Sequence, residues 1–204
     1  MTQQPTTRSK FSDQLETWLK SKQPKTLASL EEVFQDKSFA ISFLLLMILP
    51  ALPLPTGGIT HVFEIITMLL ALELIIGLET PWLPKRWKHM KLGKAMRGKV
   101  IPLLLRRVRW FERRSSPRWQ QIFRLPLAAR LISLVVFGLT LTAFLAPPFS
   151  GLDTLPSLGV VLISLALILD DALFLLGGLI VGLAGCALVI GLSEVIFKGA
   201  HHLL

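Results

Sequence analysis

Glu64 stands three residues after His61 in Ile59-Thr-His-Val-Phe-Glu64, at the head of an apolar run that continues to Leu78. On a helix that spacing puts imidazole and carboxylate on one side, within reach of each other. Such a pair can share a proton or answer to a cation, and a carboxylate at membrane depth is costly enough to suggest a function. The plainer alternative is that Glu64 caps the helix or pairs with a basic residue near an interface. Glu73 lies nine residues on, half a turn round at 3.6 residues per turn, so it cannot share Glu64's face. It is expected to pair with an arginine of the 106–130 region, such as Arg130. Asp170 and Asp171 are adjacent and project from neighbouring faces, which predicts a solvated turn rather than a metal site. His201 and His202 are near the C-terminal end and are expected to be solvated. Cys186, the lone cysteine, sits in an apolar run and reads as a small buried side chain. No nucleophile elbow, phosphate loop, His-Glu-x-x-His pair or cysteine pair occurs. The expectation is therefore no enzyme activity, no catalytic residue, no cofactor and no bound metal.

Two interrupted apolar stretches must carry these residues. Leu45–Gly58 and Thr140–Gly151 each run from apolar residues into a proline cluster, then a small hydroxyl residue and a glycine, and a second apolar run follows. Proline lacks the backbone donor and clashes with the preceding turn, so helix breaks are predicted at Pro50, Pro53, Pro55 and Gly57, and at Pro147, Pro148 and Gly151. In lipid, freed backbone groups survive only where protein or water covers them, which predicts breaks that meet in the interior. The fold class expected is all-α: a polytopic helical membrane protein with two pseudo-repeats of Pro/Gly-broken helical hairpins.

Composition agrees. The 204 residues are 52% hydrophobic and carry a formal charge of +9, but the basic residues are segregated. Of 22 Lys and Arg, 14 lie within 85–124 and six within the first 37 residues, with none between Lys37 and Lys85 or between Arg130 and Lys198. Long uncharged stretches in hydrocarbon with basic linkers in water produce that pattern. A nucleic-acid partner is not expected, because the basic stretch is bracketed by spanning segments; attraction to anionic headgroups explains it more simply.

The organisation expected is a cytoplasmic amphipathic segment over 1–37, a first broken hairpin over 38–80, basic interfacial helices over 81–124 and a second membrane unit over 125–204. Phe11, Leu15, Trp18 and Leu19 form an apolar stripe at helical spacing, either lying on the membrane or packing on the basic central segment. Ser29-Leu-Glu-Glu32 has capping-box spacing. The dozen residues Ser38–Leu49 fall short of the ~20 that a span needs. Either the helix continues, kinked, through Pro50 and Pro53, or it enters part-way and returns. Apolar blocks follow over 59–78, 125–146, 155–169 and 172–197. Gly178, Gly182 and Gly185 with Ala184 offer a small-residue surface for close helix packing. Within 85–124, apolar residues recur among Arg106, Arg107, Arg109, Arg113 and Arg114, as in interfacial helices with snorkelling basic side chains. The charges place the N-terminus and the 79–124 loop in the cytoplasm and 147–156 on the other side. The C-terminus falls outside after five crossings, or inside if the last segment folds back at Gly177-Gly178.

With these features assembled, the chain resembles the ExoD family of bacterial exopolysaccharide-synthesis membrane proteins. The resemblance rests on Leu49-Pro-Ala-Leu-Pro-Leu-Pro55 with Gly57, Ala71-Leu-Glu-Leu-Ile-Ile-Gly77, Pro81-Trp-Leu-Pro84, Arg109-Trp-Phe-Glu-Arg-Arg114 and Pro147-Pro-Phe149, and covers about residues 26–195. The family commonly has Gln where Glu73 stands and Arg-Asp-Gly where this chain has Asp170-Asp171-Ala172. The resemblance implies the bacterial inner membrane and a part in exopolysaccharide production, and carries no catalytic residue with it. Expected partners are the bilayer with its anionic headgroups, the exopolysaccharide machinery and further copies of the chain. The rival readings are a small ion- or proton-coupled transporter with its site at the broken helices, a scaffold acting through the basic surface, and a membrane enzyme acting on undecaprenyl-type carriers.

Overall fold

The structure, a computed structural model, describes residues 11–24, 37–52, 59–82, 125–147 and 150–203, with residues 26, 29, 98, 102, 105, 106, 109 and 110 between them. Among these are six helices and no strand: α1 Phe11–Lys20, α2 Ser38–Met47, α3 Ile59–Ile76, α4 Pro126–Leu145, α5 Thr154–Leu169 and α6 Ala172–Leu203. The chain divides into two compact units, one of residues 1–35 with 83–116 and one of 36–82 with 117–204.

In the first unit the predicted stripe of α1 is covered: Leu15 and Trp18 are buried, and the Glu16 carboxylate pairs with Arg109 and with Lys20 at 2.7 Å. Of the two fates open to α1, packing on the central basic segment is the one observed. Thr26 and Ser29 cap each other, while Glu32 of the expected box lies outside the described residues. Thr26 N–H donates to Ser29 Oγ and Ser29 N–H to Thr26 Oγ1, both at 3.2 Å, and Trp18 Nε1 also donates to Ser29 Oγ at 3.2 Å.

The second unit is the helical bundle. α2 packs on α3 and α5, α3 on α4, and α4 on α5, closing a ring of four; α6 lies along α5 and reaches α4. Neighbours run antiparallel. Lys37 at the head of α2 meets Ile168 and Asp170 at the foot of α5, and Arg130 near the head of α4 lies at Gly77 beyond the foot of α3. α2 has ten residues, ~15 Å at 1.5 Å per residue, about half the length of a membrane-crossing helix. Beyond Met47 the chain turns on, with Ala51 N–H bonded to Met47 O at 3.0 Å, and Pro50 is buried. Pro53, Pro55 and Gly57 lie outside the described residues. Pro126 opens α4 at its first turn, where a missing N–H costs nothing.

The second break differs from expectation. Pro147, Ser150 and Gly151 are exposed, and they form a turn closed by Ser150 Oγ donating to Pro147 O at 2.6 Å, with Gly151 at φ +70°. It joins two complete helices instead of interrupting one at mid-depth, since α4 already has 20 residues before it. Pro148 lies outside the described residues.

The interior of this unit is mostly apolar but also encloses polar groups, and its outer surface is apolar too. Glu64, Thr67, Thr140, Ser157 and Ser164 are fully buried, whereas Leu131, Leu134 and Leu145 on α4 and Leu176, Ile180 and Ile190 on α6 are exposed. Leu127–Leu145 and Ala172–Leu192 are long and apolar enough to cross a membrane, and the protein itself buries only 33% and 22% of them. The buried core helix of a water-soluble protein would be mostly covered.

The predicted glycine seam is present between α5 and α6. A Cβ on Gly159 would stand 2.6 Å from Gly182 Cα, and one on Gly185 would stand 2.5 Å from Pro156 Cδ. α3 ends at Gly77, φ +101°, where a Cβ would stand 2.8 Å from an Arg130 guanidinium nitrogen. Gly77→Ala is therefore expected to lower stability by about 1–2 kcal/mol through the left-handed backbone alone. Gly138→Ala, with nothing within 4 Å of its Cβ, serves as the neutral control. Thermal unfolding of the detergent-solubilised protein reads the difference.

Candidate functional site

His61 and Glu64 meet as their spacing required. His61 Nδ1 lies 2.7 Å from Glu64 Oε2, with the imidazole side chain 26% exposed and the carboxylate fully buried. Glu64 sits one turn inside the head of α3 and is fully buried, with His61 as its partner. Its second oxygen, Oε1, is buried and has no hydrogen-bond partner among the described residues. The His61 ring stands edge-on to Phe144, centroids 5.3 Å apart, which fixes the imidazole between α3 and the foot of α4. Thr60 beside it is buried.

Asp153 belongs to this cluster, and sequence reasoning missed it. It precedes α5 and lies within electrostatic reach of both His61 and Glu64. Burial pushes its carboxyl above the usual aspartate range, and the charge of His61 pulls the other way. The only sequence signal was an acid next to the second break, and nothing in the sequence says that this break lies over the head of α3. An acid raised in the folded state contributes stability below its unfolded pKa, and that contribution is lost as pH climbs through the folded value. Asp153→Asn is therefore expected to melt higher than the parent at neutral pH, with the gain vanishing below about pH 4; melting temperatures across that range check it.

Glu73 does not join this site. Its Oε2 accepts the Trp82 backbone N–H at 2.8 Å, while Arg130 lies over Gly77; the expected Glu73–Arg130 pair is replaced by a bond that ties down the end of the hairpin. The aspartates after α5 are not solvated either. Asp170 Oδ2 pairs with Lys37 Nζ at 3.2 Å, and the buried Asp171 accepts the Leu173 N–H at 3.0 Å as the cap of α6. Asp171 caps because a helix starts immediately after it, leaving an unbonded N–H two residues on. No three metal-ligating groups converge among the described residues. The Cys186 thiol is half-buried and donates to Thr142 Oγ1 at 3.3 Å, linking α6 to α4.

In the first unit, Arg106 and Trp110 are exposed, and with Arg109, Lys20, Leu19 and Leu105 they line a groove of about 560 Å³ between α1 and the basic segment. Arg107, Arg113 and Arg114 lie outside the described residues. The side chains of His201 and His202 are likewise not described.

Comparison with known proteins adds a family. The family model described as "Exopolysaccharide synthesis, ExoD" matches residues 11–191. A curated protein of Synechocystis described as uncharacterized is 24% identical over 173 residues, covering 85% of this chain and 81% of that one. No solved structure matches.

Proposed function

We propose, from the premise that this chain belongs to the ExoD family of exopolysaccharide synthesis, that it is an inner-membrane accessory protein of exopolysaccharide synthesis or export. One observation carries the membrane part: α4 and α6 leave a wide apolar surface of leucines and isoleucines uncovered, while Glu64 and several hydroxyls are enclosed in the bundle. Water would penalise that arrangement, and hydrocarbon favours it. The α2–α3 and α4–α5 hairpins pack as a pseudo-symmetric pair, and α6 follows as a further crossing. Segregation of the basic residues supports a cytoplasmic N-terminus and 79–124 segment, with the turn 147–156 on the other face. The groove of Arg106, Arg109 and Trp110 suits anionic headgroups, and copies of the chain or polysaccharide enzymes are its protein partners in this reading. No enzymatic turnover is assigned to it.

The test is complementation of a deletion strain. The chain restores exopolysaccharide output, stays in membranes washed with alkaline carbonate and leaves them only with detergent; recovery as a water-soluble monomer sinks the reading. Buried Glu64, with one oxygen unpartnered, favours a second reading as a proton- or ion-coupled transporter. Under it, Glu64→Gln abolishes a pH-dependent flux in proteoliposomes while the protein still inserts and folds. A scaffold predicts the reverse pattern. Charge reversal at Arg106 and Arg109 would then remove exopolysaccharide output, and Glu64→Gln would leave it intact.

A further inference from the structure

A single shift of 93 positions relates the two hairpins. α3 ends with Leu78 N–H bonded to Glu73 O at 3.0 Å and Gly77 left-handed; α5 ends with Asp171 N–H bonded to Ala166 O at 3.1 Å and Asp170 left-handed, φ 55°. Residues 73, 77 and 78 thus map onto 166, 170 and 171, and both ends have the six-to-one closure of a Schellman cap. The same shift maps Lys37 onto Arg130, and each of these reaches the left-handed residue of the other hairpin: Lys37 at Asp170, Arg130 at Gly77. It also aligns the fully buried positions, Phe43 with Val136, Met47 with Thr140, Thr67 with Val160 and Ala71 with Ser164. Helical periodicity alone would align one pair of helices at several shifts. Here one shift serves two pairs of helices, two caps and two crossed basic contacts.

Under this relation Glu64 falls on Ser157. Both are fully buried, and each holds an oxygen with no hydrogen-bond partner among the described residues, Glu64 Oε1 and Ser157 Oγ. Asp153, one turn before Ser157 on the same face, is the acid that Glu64 and His61 feel. The twin positions are therefore chemically unequal: an acid in the first half, a neutral hydroxyl in the second.

We infer that Glu64 is a reversible proton-binding site, reached through His61 from the end of the bundle where α4 finishes, and that Ser157 is its uncharged twin. The inference rests on the bilayer reading above, which supplies the low dielectric. A carboxylate wholly removed from water, hydrogen-bonded through one oxygen, is relieved of its charge by taking up a proton. The half-exposed imidazole provides the route: Nε2 takes a proton from water, Nδ1 gives its own along the 2.7 Å bond to Oε2, and the ring is left neutral as the Nε2–H tautomer. Other described charged groups of the bundle lie elsewhere, Asp170 after α5 being paired with Lys37. α2 contains no titratable residue, Arg130 of α4 is at the opposite end against Gly77, and Glu73 is held by Trp82.

Dicyclohexylcarbodiimide, which adds to a protonated carboxyl in an apolar site and leaves a stable acylurea, tests this on the purified full chain in proteoliposomes. Peptide mass spectrometry is expected to find the adduct on Glu64 and to lose it in Glu64→Gln. Labelling should fall roughly tenfold per pH unit above its midpoint, as a single ionisation requires. Asp153→Asn should move that midpoint to lower pH, because a neighbouring negative charge has gone. Absence of the adduct at every pH in folded protein overturns the inference. So does protection by sodium or potassium at constant pH, which would make the site a cation site, or a profile unmoved in both Asp153→Asn and His61→Asn. The readout is independent of exopolysaccharide output, so a failed complementation and a failed proton site are told apart.

Discussion

Gly159→Ala is expected to destabilise the bundle by about 3 kcal/mol, the upper end of what one inserted methyl costs in a packed interior. The reason lies in what the methyl would meet. Its nearest neighbours are backbone atoms, Gly182 Cα at 2.6 Å and Gly178 O at 2.9 Å, which cannot rotate aside. α5 and α6 would have to separate along the most extensive contact in the unit. Gly182→Ala should cost less, because its Cβ meets the Leu139 side-chain tip at 2.6 Å and that leucine can change rotamer. Gly191→Ala should cost nothing, having no atom within 4 Å and gaining helix propensity. Unfolding in mixed detergent micelles ranks the three. Equal stability of Gly159→Ala and Gly191→Ala would mean that the helices do not cross at the glycines. The ranking also separates this seam from a generic stripe of small residues, which would predict similar costs at every glycine.

Much of this architecture was legible in the sequence because its punctuation is local. Proline at the head of α4, glycine after α3 and the aspartate pair between α5 and α6 each act on their own backbone, so the apolar blocks at 59–78, 125–146, 155–169 and 172–197 became helices with nearly those limits. The His61–Glu64 contact was legible for the same reason, being an i, i+3 relation on one helix. What remained hidden depends on which helix faces which. Asp153 joins the site only because the α4–α5 turn lies over the head of α3. Glu73 gave up the expected arginine because the chain folds back after Gly77 and offers the Trp82 N–H. The second break looked like a buried interruption, although 20 residues before it already make a complete helix. The shift of 93 shows in the sequence where Pro55 answers to Pro148 and Gly58 to Gly151, but not at the polar positions, where Glu64 answers to Ser157 and Lys37 to Arg130; there it survives in caps and burial.

Lys37→Met is expected to cost about 3 kcal/mol, near the level seen when one partner of a buried ion pair is removed. Lys37 Nζ donates to Ile168 O and to Asp170 Oδ2, the latter at 3.2 Å, and the two side chains are only 19% and 17% exposed. Removing the ammonium leaves a largely covered carboxylate and the last carbonyls of α5 with one donor fewer. The twin contact should behave differently. Arg130 is an exposed side chain, so Arg130→Met should cost under about 1 kcal/mol, as solvent-screened charges do. Asn substitutes well at a left-handed position and carries no charge. Lys37→Met with Asp170→Asn should therefore regain part of the loss, with a coupling of roughly 1–2 kcal/mol in the double-mutant cycle. Additive losses in that cycle would mean that Lys37 acts on the helix end alone. A neutral Lys37→Met would remove the tie between the head of α2 and the foot of α5, and with it one of the two crossed contacts that make the hairpins a pair.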